Sequence, residues 1–467
     1  MNTAGKIYKE EKIYKGERTQ DIDKISLEGK KVFIRTFGCQ MNEKDSERMI
    51  AKLGMIPAQS EYEADVIIVN TCAVREKPEH KVYSEVGKFI KLKKIKKDLK
   101  VGITGCVAQL KGSELLDKTG ADFVVGTHAI HRIDEIVKRV IAGEIVVDTS
   151  LTTNINDRFE SPIPETFYDG SRVKAFVTIQ EGCNQFCTFC VVPITRGREV
   201  TRPSHDIIRE IIELASRGVK EVTLIGQNVN GYGWNIPGEI SFAQLLREIN
   251  KIDGILRIRF TTSNPKYMTD ELIDTMAECE KVCEHLHLPV QSGSNKILKK
   301  MARRYTIEQY LEIVEKLRKK IPSIALTTDI IVGFPGETDE DFEETVKLIK
   351  EVKFDDIFSF KFSPRPGTAA AKMENQIPEE VKAERLRYLQ SIQDEITLSK
   401  MKEYIGKVEE ILVEGPAQRN PDKDSTGRTR TNKPVNFEGK IPPGEIVYVK
   451  ITEAFRNSLR GEIVKSS

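Results

Sequence analysis

Six of the eight cysteines fall into two sets of three, and this division limits what the chain can fold into. One set is dispersed, and each member directly follows a short apolar run, in KVFIRTFGC, ADVIIVNTC and KVGITGC (Cys39, Cys72 and Cys106). The other set is compact and lies in GCNQFCTFC, a C-x3-C-x2-C pattern (Cys183, Cys187 and Cys190). Thiolates hold iron–sulfur clusters, usually four to a cluster. Three thiolates leave one iron of a four-iron cluster open, so two such sites predict redox chemistry on a bound substrate.

Length and composition limit the number of domains, the kind of nucleic-acid binding and the cellular location that the chain can have. At 467 residues the chain is too long for one typical domain and suggests about three. The formal net charge of +2 excludes a globally basic nucleic-acid binder, so such contacts must come from local patches. The charged N-terminus lacks a secretory apolar segment, and no run of about 18 apolar residues exists. We therefore expect a cytoplasmic protein without a membrane segment, whose cysteines serve metals or catalysis.

Alternating apolar and polar segments divide the chain into three folded parts. Residues 1–29 are interpreted as a polar extension, 30–146 as a strand–helix alternation and 147–170 as a linker. Six longer strand–helix units follow in 171–403, and 404–467 has short strands separated by Gly and Pro. The predicted fold class is α/β, with a parallel N-terminal α/β sheet, a central partial (β/α)6 barrel and a small C-terminal all-β barrel.

The dispersed cysteines are predicted to converge on one site. Cys39, Cys72 and Cys106 lie in the loops after successive strands, and the carboxyl ends of parallel strands meet at one sheet edge. The compact set has neither the spacing of a ferredoxin run nor the paired C-x2-C of a zinc site. We therefore favour an iron–sulfur cluster with an open iron. Cys279 and Cys283 are interpreted as buried thiols at the end of a helix.

Further motifs carry a family resemblance. GCNQFCTFC, placed after a strand and before six βα units, resembles the radical S-adenosylmethionine superfamily. FGCQMNEKDSERM, VNTCAVREK and ITGCVAQ resemble the N-terminal domain of methylthiotransferases, and LHLPVQSGSNKILKKMARRYT, TTDIIVGFPGET and FSPRPGTAA resemble their radical domain. GRTRTNKPVNFEG resembles the TRAM domain, a small RNA-binding barrel. The resemblance covers about residues 30–466, and CQMN and NTCAVR are similar to MiaB-type tRNA methylthiotransferases.

The resemblance implies a reaction and its cofactors. A methylthio group would be added to carbon 2 of an N6-isopentenylated adenosine at position 37, 3′ of the tRNA anticodon. Two [4Fe–4S] clusters are implied, a radical cluster on the compact, catalytic cysteines and an auxiliary cluster on the dispersed ones. Two S-adenosylmethionine molecules per turnover are implied, one to methylate a sulfur and one to start the radical step. The expected partners are a tRNA anticodon stem-loop, an electron donor and a sulfur source, and the chain is expected to be a monomer.

Candidate S-adenosylmethionine contacts follow from topology and resemblance together. The cofactor is expected at the carboxyl ends of the radical-domain strands, where a glycine permits close backbone approach. The candidates at these strand ends are Gly226, Gln227, Ser263, Gln291, Ser292, Asp329 and Gly333.

Candidate RNA contacts are basic side chains in two local patches. One patch follows the compact cysteine loop, and the other lies in the last module (Arg196, Arg198, Arg428, Arg430 and Lys433). Basic side chains make salt-dependent contacts to phosphates, which position RNA without specifying its sequence.

Alternative functions stay open at this point. The same chemistry would also suit a threonylcarbamoylated tRNA adenosine or a ribosomal-protein aspartate. A member of another class, a non-catalytic iron–sulfur protein that binds RNA or transfers electrons, would not cleave S-adenosylmethionine. Analysis of tRNA nucleosides separates the substrates, and formation of 5′-deoxyadenosine separates the classes.

Overall fold

The computed structural model of the chain describes residues 11–18, 20–73, 76–152, 154–159, 172–234 and 236–464. Separate apolar cores within these residues mark an N-terminal, a central and a C-terminal module. Among these residues, no helix is both long and apolar enough to cross a lipid bilayer.

A seven-stranded sheet forms the N-terminal module. Its strands are β1 (Lys12–Lys15), β2 (Lys31–Phe37), β3 (Ile56–Pro57), β4 (Val66–Thr71), β5 (Lys100–Gly105), β6 (Phe123–Val125) and β7 (Ile145–Asp148). They are ordered β1-β7-β6-β5-β4-β2-β3, and every neighbouring pair is parallel except β1 with β7. The helices are α1 (Gln40–Leu53), α2 (Glu76–Leu92), α3 (Cys106–Lys111), α4 (Ser113–Thr119), α5 (Ile133–Ile141) and α6 (Ile155–Phe159).

Strand β4 shows why this sequence forms a sheet with two covered faces. Val66 and Ile68 enter one apolar core, whereas Ile67 and Val69 enter another. Successive side chains of a strand point to opposite faces, so a run of apolar residues is buried on both sides of a parallel sheet. The predicted parallel α/β module is confirmed.

The edge of this sheet differs from the prediction for the two polar segments. The sequence predicts an extension over 1–29 and a linker over 147–170, yet β1 pairs antiparallel with β7, which crosses the 146/147 boundary. Helix α6 also lies within the predicted linker. An edge strand pairs through backbone groups, so the sequence KIYK needs no regular apolar pattern to join the sheet. Residues 1–10 and 160–171 lie outside the described part of the chain.

The central module contains the six predicted parallel strands. Its strands are β8 (Lys174–Thr178), β9 (Gln180–Glu181), β10 (Val200–Thr201), β11 (Glu221–Ile225), β12 (Arg257–Phe260), β13 (His285–His287), β14 (Ala325–Val332) and β15 (Asp356–Lys361). Strands β8, β11 and β12 form one parallel half and β13, β14 and β15 the other, while β9 and β10 pair antiparallel. A bridge between Ile258 and Val282 links the halves, because the short β13 offers few backbone groups for pairing.

Helices cover the outside of this partial barrel. They are α7 (Val192–Thr195), α8 (Ser204–Ser216), α9 (Phe242–Asn250), α10 (Asp270–Glu278), α11 (Asn295–Lys300), α12 (Ile307–Lys320), α13 (Asp339–Val352) and α14 (Glu379–Lys402). Helices α9 and α12 begin with reciprocal capping boxes, Ser241 with Gln244 and Thr306 with Gln309. The sequence does not predict α11, since a six-residue helix is too short to show a helical period.

The C-terminal module is a closed five-stranded barrel. Its strands are β16 (Val408–Pro416), β17 (Asp424–Arg428), β18 (Pro434–Glu438), β19 (Ile446–Ala454) and β20 (Leu459–Ile463), in the order β16-β17-β18-β20-β19. The predicted all-β barrel is confirmed, but the sequence does not predict β17. Its residues DSTGR are polar, and the strand forms because both edges pair with neighbours.

Buried arginines of β12 fasten the C-terminal barrel to the central module. Arg257 Nη1 donates to the carbonyl oxygen of Arg428 at 2.7 Å, and Arg257 Nη2 donates to the Glu410 carboxylate at 2.8 Å. Arg259 Nη1 donates to the carbonyl oxygen of Arg430 at 2.8 Å. Charge-assisted hydrogen bonds of this kind are the stronger ones, so they fix the orientation of the barrel.

Candidate active site and RNA-contact residues

The compact cysteine set lies on the loop between β9 and α7. The N–H of Val192 donates to Cys190 Sγ at 3.5 Å, and Arg303 Nη1 donates to Cys187 Sγ at 3.3 Å. Directly before the set, Gly182 has a φ of +80°, and a Cβ there would stand 2.1 Å from the carbonyl oxygen of Arg198. The path of the loop therefore requires glycine at this position.

Burial decides the protonation of the compact set. It raises the pKa of Cys183 to about 12 and also raises the pKa of Cys190, and the nearby Cys187 adds to both shifts. Such thiols stay protonated at neutral pH unless a cation replaces the proton, so metal binding here releases protons. The donor set thus fits an iron–sulfur cluster, and Arg303 adds a positive charge beside one of its thiolates.

The dispersed cysteines meet at the carboxyl edge of β2, β4 and β5, which are neighbours in the sheet. The Cys72 thiol hydrogen-bonds with both Cys39 and Cys106. These contacts lower the pKa of Cys39 to about 6 and that of Cys106 to about 7, whereas they raise the pKa of Cys72. Three sulfurs from three loops therefore share one site.

Two glycines allow the dispersed cysteines to approach. Gly38 has a φ of +139°, and a Cβ there would stand 2.6 Å from Cys72 Cβ. Gly105, with a φ of +89°, would place a Cβ 2.5 Å from the carbonyl oxygen of Thr71. Each glycine directly precedes one of the cysteines, so any larger side chain would push the loops apart.

The donor types suit iron–sulfur clusters. Within the described parts of the chain, no group of three or more His, Cys, Asp or Glu side chains has the arrangement that would hold one metal ion. In a four-iron cluster each thiolate binds a different iron, so its cysteines need not surround a single point. Two sets of three thiols are compatible with that requirement.

A buried ion-pair cluster joins the two cysteine sites. Arg196 donates to the carboxylates of Asp45, on α1, and Glu181, on β9, the latter at 2.9 Å. Arg158 also donates to Glu181, at 3.1 Å. The Arg196 charge contributes to the low pKa of Cys39 and Cys106. The sequence predicts an RNA contact at Arg196, but two carboxylates hold its buried guanidinium in the junction between modules.

Most predicted RNA contacts of the last barrel also lie at a module junction. Arg430 forms a two-pronged ion pair with Glu284 at 2.8 Å, and the buried Lys433 pairs with Asp355 at 2.9 Å. Arg428 pairs with Glu414 at 3.2 Å. Sequence clustering of basic residues does not reveal these partners, because the carboxylates come from distant segments. Of the five predicted RNA contacts, Arg198 is the exposed one.

Four predicted S-adenosylmethionine contacts have features that suit a ligand. Gln227 accepts a hydrogen bond from the N–H of Gly182 and so links β11 to the cysteine loop. The buried Ser263 hydroxyl has no hydrogen-bond partner among the described residues. Gln291 has a φ of +77°, and Asp329 Oδ1 lies 3.5 Å from His287 Nε2. An orphaned buried hydroxyl at a strand end is consistent with a bound cofactor.

The other three candidates lie in close contact with neighbouring residues of the chain. A Cβ at Gly226 would stand 2.9 Å from the carbonyl oxygen of Gln180, and one at Gly333 would stand 2.1 Å from Lys382 Cγ. The Ser292 hydroxyl lies 3.4 Å from Thr345 Oγ1 on α13. These contacts describe how the three residues pack, and their contact with S-adenosylmethionine stays a prediction.

A cavity of about 630 Å³ lies where the three modules meet. Gln40 on α1, Phe176 and Thr223 in the partial barrel, and Arg428 in the C-terminal module are among its lining residues. The seven predicted S-adenosylmethionine contacts do not line it. Its volume is in the usual range for small-molecule sites, so it can accept a ligand of nucleoside size.

Sequence reasoning missed Arg303, Asp45 and Glu181. Arg303 lies in the quoted motif MARRYT, just after α11, and its hydrogen bond to Cys187 joins residues 116 positions apart, which the sequence alone does not reveal. Asp45 follows the dispersed Cys39 within CQMNEKD, where a helix surface would be expected. Asp45 is buried in the structure, and the sequence gives no sign of that burial.

Family models match all three modules. The chain matches the Radical SAM superfamily over residues 177–349, the Uncharacterized protein family UPF0004 over 31–126 and the TRAM domain over 402–464. The first match contains the compact cysteine set, and the second contains the dispersed one.

Solved structures share the fold over most of this chain. The radical S-adenosylmethionine methyltransferase TsrM from Kitasatospora setae has a TM-score of 0.55 and 16% identity, over 73% of this chain and 77% of its own. The cobalamin-dependent S-adenosylmethionine radical enzyme OxsB has a TM-score of 0.51 and 14% identity, over 79% and 56%.

Curated relatives are much more similar. The tRNA-2-methylthio-N(6)-dimethylallyladenosine synthase of Syntrophus aciditrophicus is 48% identical over 94% of this chain and 96% of its own length. Its counterpart in Thermodesulfovibrio yellowstonii is 49% identical over 94% of this chain and its entire length. Since the match spans all three modules and both cysteine sets, the chain belongs to the MiaB-type tRNA methylthiotransferases, the family of tRNA-2-methylthio-N(6)-dimethylallyladenosine synthases.

Proposed function

We propose that the chain adds a methylthio group to C2 of N6-isopentenyladenosine at position 37 of tRNA, 3′ of the anticodon. The identity of 48% and 49% to the two named synthases over 94% of the chain carries this proposal. The two separate cysteine sites support it, because insertion of sulfur at an unactivated carbon needs both a radical source and a sulfur carrier.

Two [4Fe–4S] clusters and S-adenosylmethionine are part of the proposal. The compact cysteines would hold the radical cluster, and the dispersed cysteines would hold the auxiliary one. When bound, these groups supply the radical chemistry that replaces a C–H bond by a C–S bond. The chain contributes the thiolates, the charge of Arg303 and the Arg196–Asp45 pair that fixes one site relative to the other. Gln227, Ser263 and Asp329 are the residues best suited to contact S-adenosylmethionine.

The boundaries and partners belong to the same proposal. The N-terminal module takes residues 30–146 together with β1 and the rest of β7, the radical module takes 171–403 and the RNA-binding barrel takes 404–467. The anticodon stem-loop, an electron donor and a sulfur source are its partners, two S-adenosylmethionine molecules are used per turnover, and the chain acts as a cytoplasmic monomer.

Mass spectrometry of tRNA nucleosides tests the substrate. In a strain that lacks the native enzyme, expression of this chain should convert isopentenyladenosine into its 2-methylthio derivative. Persistence of isopentenyladenosine would overturn the proposal. A methylthio group on threonylcarbamoyladenosine, or on a ribosomal-protein aspartate, would redirect it to that substrate.

Turnover tests whether the chain is an enzyme at all. The reconstituted, reduced protein should produce 5′-deoxyadenosine from S-adenosylmethionine. A protein that only carries electrons or binds RNA would leave S-adenosylmethionine intact.

A further inference from the structure

Phe186 has a backbone conformation and an exposure that packing does not explain. It lies between Cys183 and Cys187, with a φ of 51° and a ring that is 41% exposed. The left-handed region is rare and costly for a bulky side chain, and such strain concentrates at functional sites. Burial of the ring does not compensate for this backbone strain. The position of the ring on the cysteine loop therefore points to a ligand.

A second exposed aromatic ring lies beside this loop. Trp234 is 49% exposed and packs edge-to-face on the buried Tyr267, with ring centroids 5.2 Å apart. The Tyr267 hydroxyl accepts a hydrogen bond of 2.8 Å from Gln185, which directly precedes Phe186. The two exposed rings therefore belong to one supported surface at the mouth of the compact cysteine site.

Two basic side chains lie on this surface, one beside Phe186 and one beside Tyr267, which supports Trp234. The Arg198 guanidinium lies 4.3 Å from the centroid of the Phe186 ring, and Lys266 Nζ lies 4.8 Å from that of Tyr267. Both basic side chains are exposed, and neither forms an ion pair with a carboxylate in the described part of the chain. Their charge is thus available to a partner, unlike that of Arg196 and Arg430.

We propose that Phe186, Trp234, Arg198 and Lys266 form a stacking platform for unpaired bases of the tRNA anticodon loop. Exposed aromatics with free cations are the elements by which proteins bind single-stranded nucleic acid. The target base of the tRNA must reach the compact cysteine site. The neighbouring nucleotides of the anticodon loop therefore pass Phe186. The inference rests on the proposed function for the identity of the RNA.

Trp234 provides a direct readout because it is the one tryptophan of the chain. An anticodon stem-loop RNA that carries isopentenyladenosine should quench its fluorescence in a saturable way as a base stacks on the indole. The control is a fully paired duplex with the sequence of the same stem. Equal quenching by the duplex, or no quenching by the stem-loop at concentrations that saturate binding, would overturn the platform.

Variants separate stacking from charge. Phe186→Asn and Trp234→Ala should each weaken stem-loop binding by roughly tenfold without changing its salt dependence. Arg198→Gln should lower the slope of log K against log salt by about 0.7. Phe186→Tyr should bind like the wild type, and so should Tyr62→Ala, which removes a 71% exposed ring in the turn before β4.

Stability distinguishes the platform from a structural aromatic. Asparagine tolerates the left-handed region, so Phe186→Asn should unfold at the same or a higher temperature than the wild type while RNA binding falls. A lower unfolding temperature together with unchanged RNA affinity would assign Phe186 a structural role and overturn the inference. Trp234→Ala tests the platform independently if the cysteine loop is disturbed by the first variant.

The two proposals can fail separately. If the chain methylthiolates tRNA in cells but the platform variants bind the stem-loop like the wild type, only the platform is wrong. If the variants lose the stem-loop but isopentenyladenosine is never modified, the substrate is wrong and the platform stands.

Discussion

At the residue scale, Arg196 and Glu181 carry charges that have no access to water. Arg196 and Arg158 both pair with Glu181 in the junction between the N-terminal and central modules, and Arg196 also pairs with Asp45. Removal of one member of a buried ion pair leaves an uncompensated charge and typically costs about 3–5 kcal/mol. The cluster therefore stabilises the junction between the two modules, and by doing so it fixes the two cysteine sites relative to each other.

The pH dependence of stability should reveal Glu181. Burial by itself would raise its pKa, but Arg158 and Arg196 outweigh burial and lower the pKa to about 2. A carboxyl group with a lowered pKa stabilises the fold above its unfolded pKa, and this stabilisation is lost as the pH falls toward the folded value. We expect the difference in free energy of unfolding between wild type and Glu181→Gln to shrink by about 3 kcal/mol over that acidic range.

Urea unfolding at a series of pH values measures this difference. Glu315→Gln, which changes an exposed carboxylate on α12, is the matched control. A difference for Glu181→Gln that stays constant with pH would mean that Glu181 is not held ionised by its arginine partners.

Single cysteine substitutions should divide the two sites. Cys187→Ala should abolish formation of 5′-deoxyadenosine, since a thiolate of the radical site is lost. Cys72→Ala should stop methylthiolation but retain cleavage of S-adenosylmethionine. Each variant should bind about four iron atoms per chain where the wild type binds about eight, as measured after anaerobic reconstitution. Methylthiolated tRNA from Cys72→Ala would contradict this division of labour.

At the element scale, glycines set the paths of the loops that present the cysteines. Gly38, Gly105 and Gly182 all have positive φ and approach other backbone or side-chain atoms closely. Gly54, at the C-terminal end of α1, also has a positive φ but has open space around it. A comparison of Gly54 with the other three glycines therefore separates the need for a positive φ from the need for space at the position of a Cβ atom.

Gly182→Ala should therefore be more harmful than Gly54→Ala. The alanine at residue 54 should cost about 1 kcal/mol from its left-handed conformation alone. At residue 182 the same conformational cost is joined by a clash with the carbonyl of Arg198, so the compact loop must move. For Gly182→Ala, both the temperature of thermal unfolding and the iron content of the radical site should fall. Equal effects of the two substitutions would argue against the close approach.

At the scale of the whole molecule, the C-terminal barrel is held to the radical module by basic side chains that point in both directions. Arg257 and Arg259 of β12 reach carbonyls of the barrel, and Arg430 of the barrel reaches Glu284 and the carbonyl of Val282. The last barrel is thus a fixed part of the enzyme rather than a tethered module. Its position relative to the central cavity is set before any RNA binds.

Arg430→Ala should loosen this attachment. The substitution leaves Glu284 without its partner and should cost roughly 2–5 kcal/mol at the interface. Hydrogen–deuterium exchange should then show faster exchange in β12, in the 429–433 loop and along β16. Arg419→Ala, an exposed arginine of the same barrel, should leave exchange unchanged. Unchanged exchange in Arg430→Ala would show that apolar packing alone holds the barrel.

The parallel strands and the convergence of the dispersed cysteines could be predicted from the sequence. KVFIRTF, VIIVNT and KVGITG are apolar, bounded and separated by helices, so their period and connections identify parallel strands whose carboxyl ends share one edge. β1, β17 and α11 could not be predicted. Their residues are polar or few, and they form because a neighbouring edge or loop is already in place.

By itself, the sequence determined that this protein has two sites of three thiols on a parallel framework, because cysteine spacing and apolar period are local properties. Only the tertiary structure decided which basic side chains are free for a partner. The sequence does not distinguish the basic residue Arg198 from three others, Arg196, Arg430 and Lys433. In the structure, carboxylates from distant elements neutralise those three. An ion pair is fixed by proximity in space, and the sequence records no such proximity between residues that far apart.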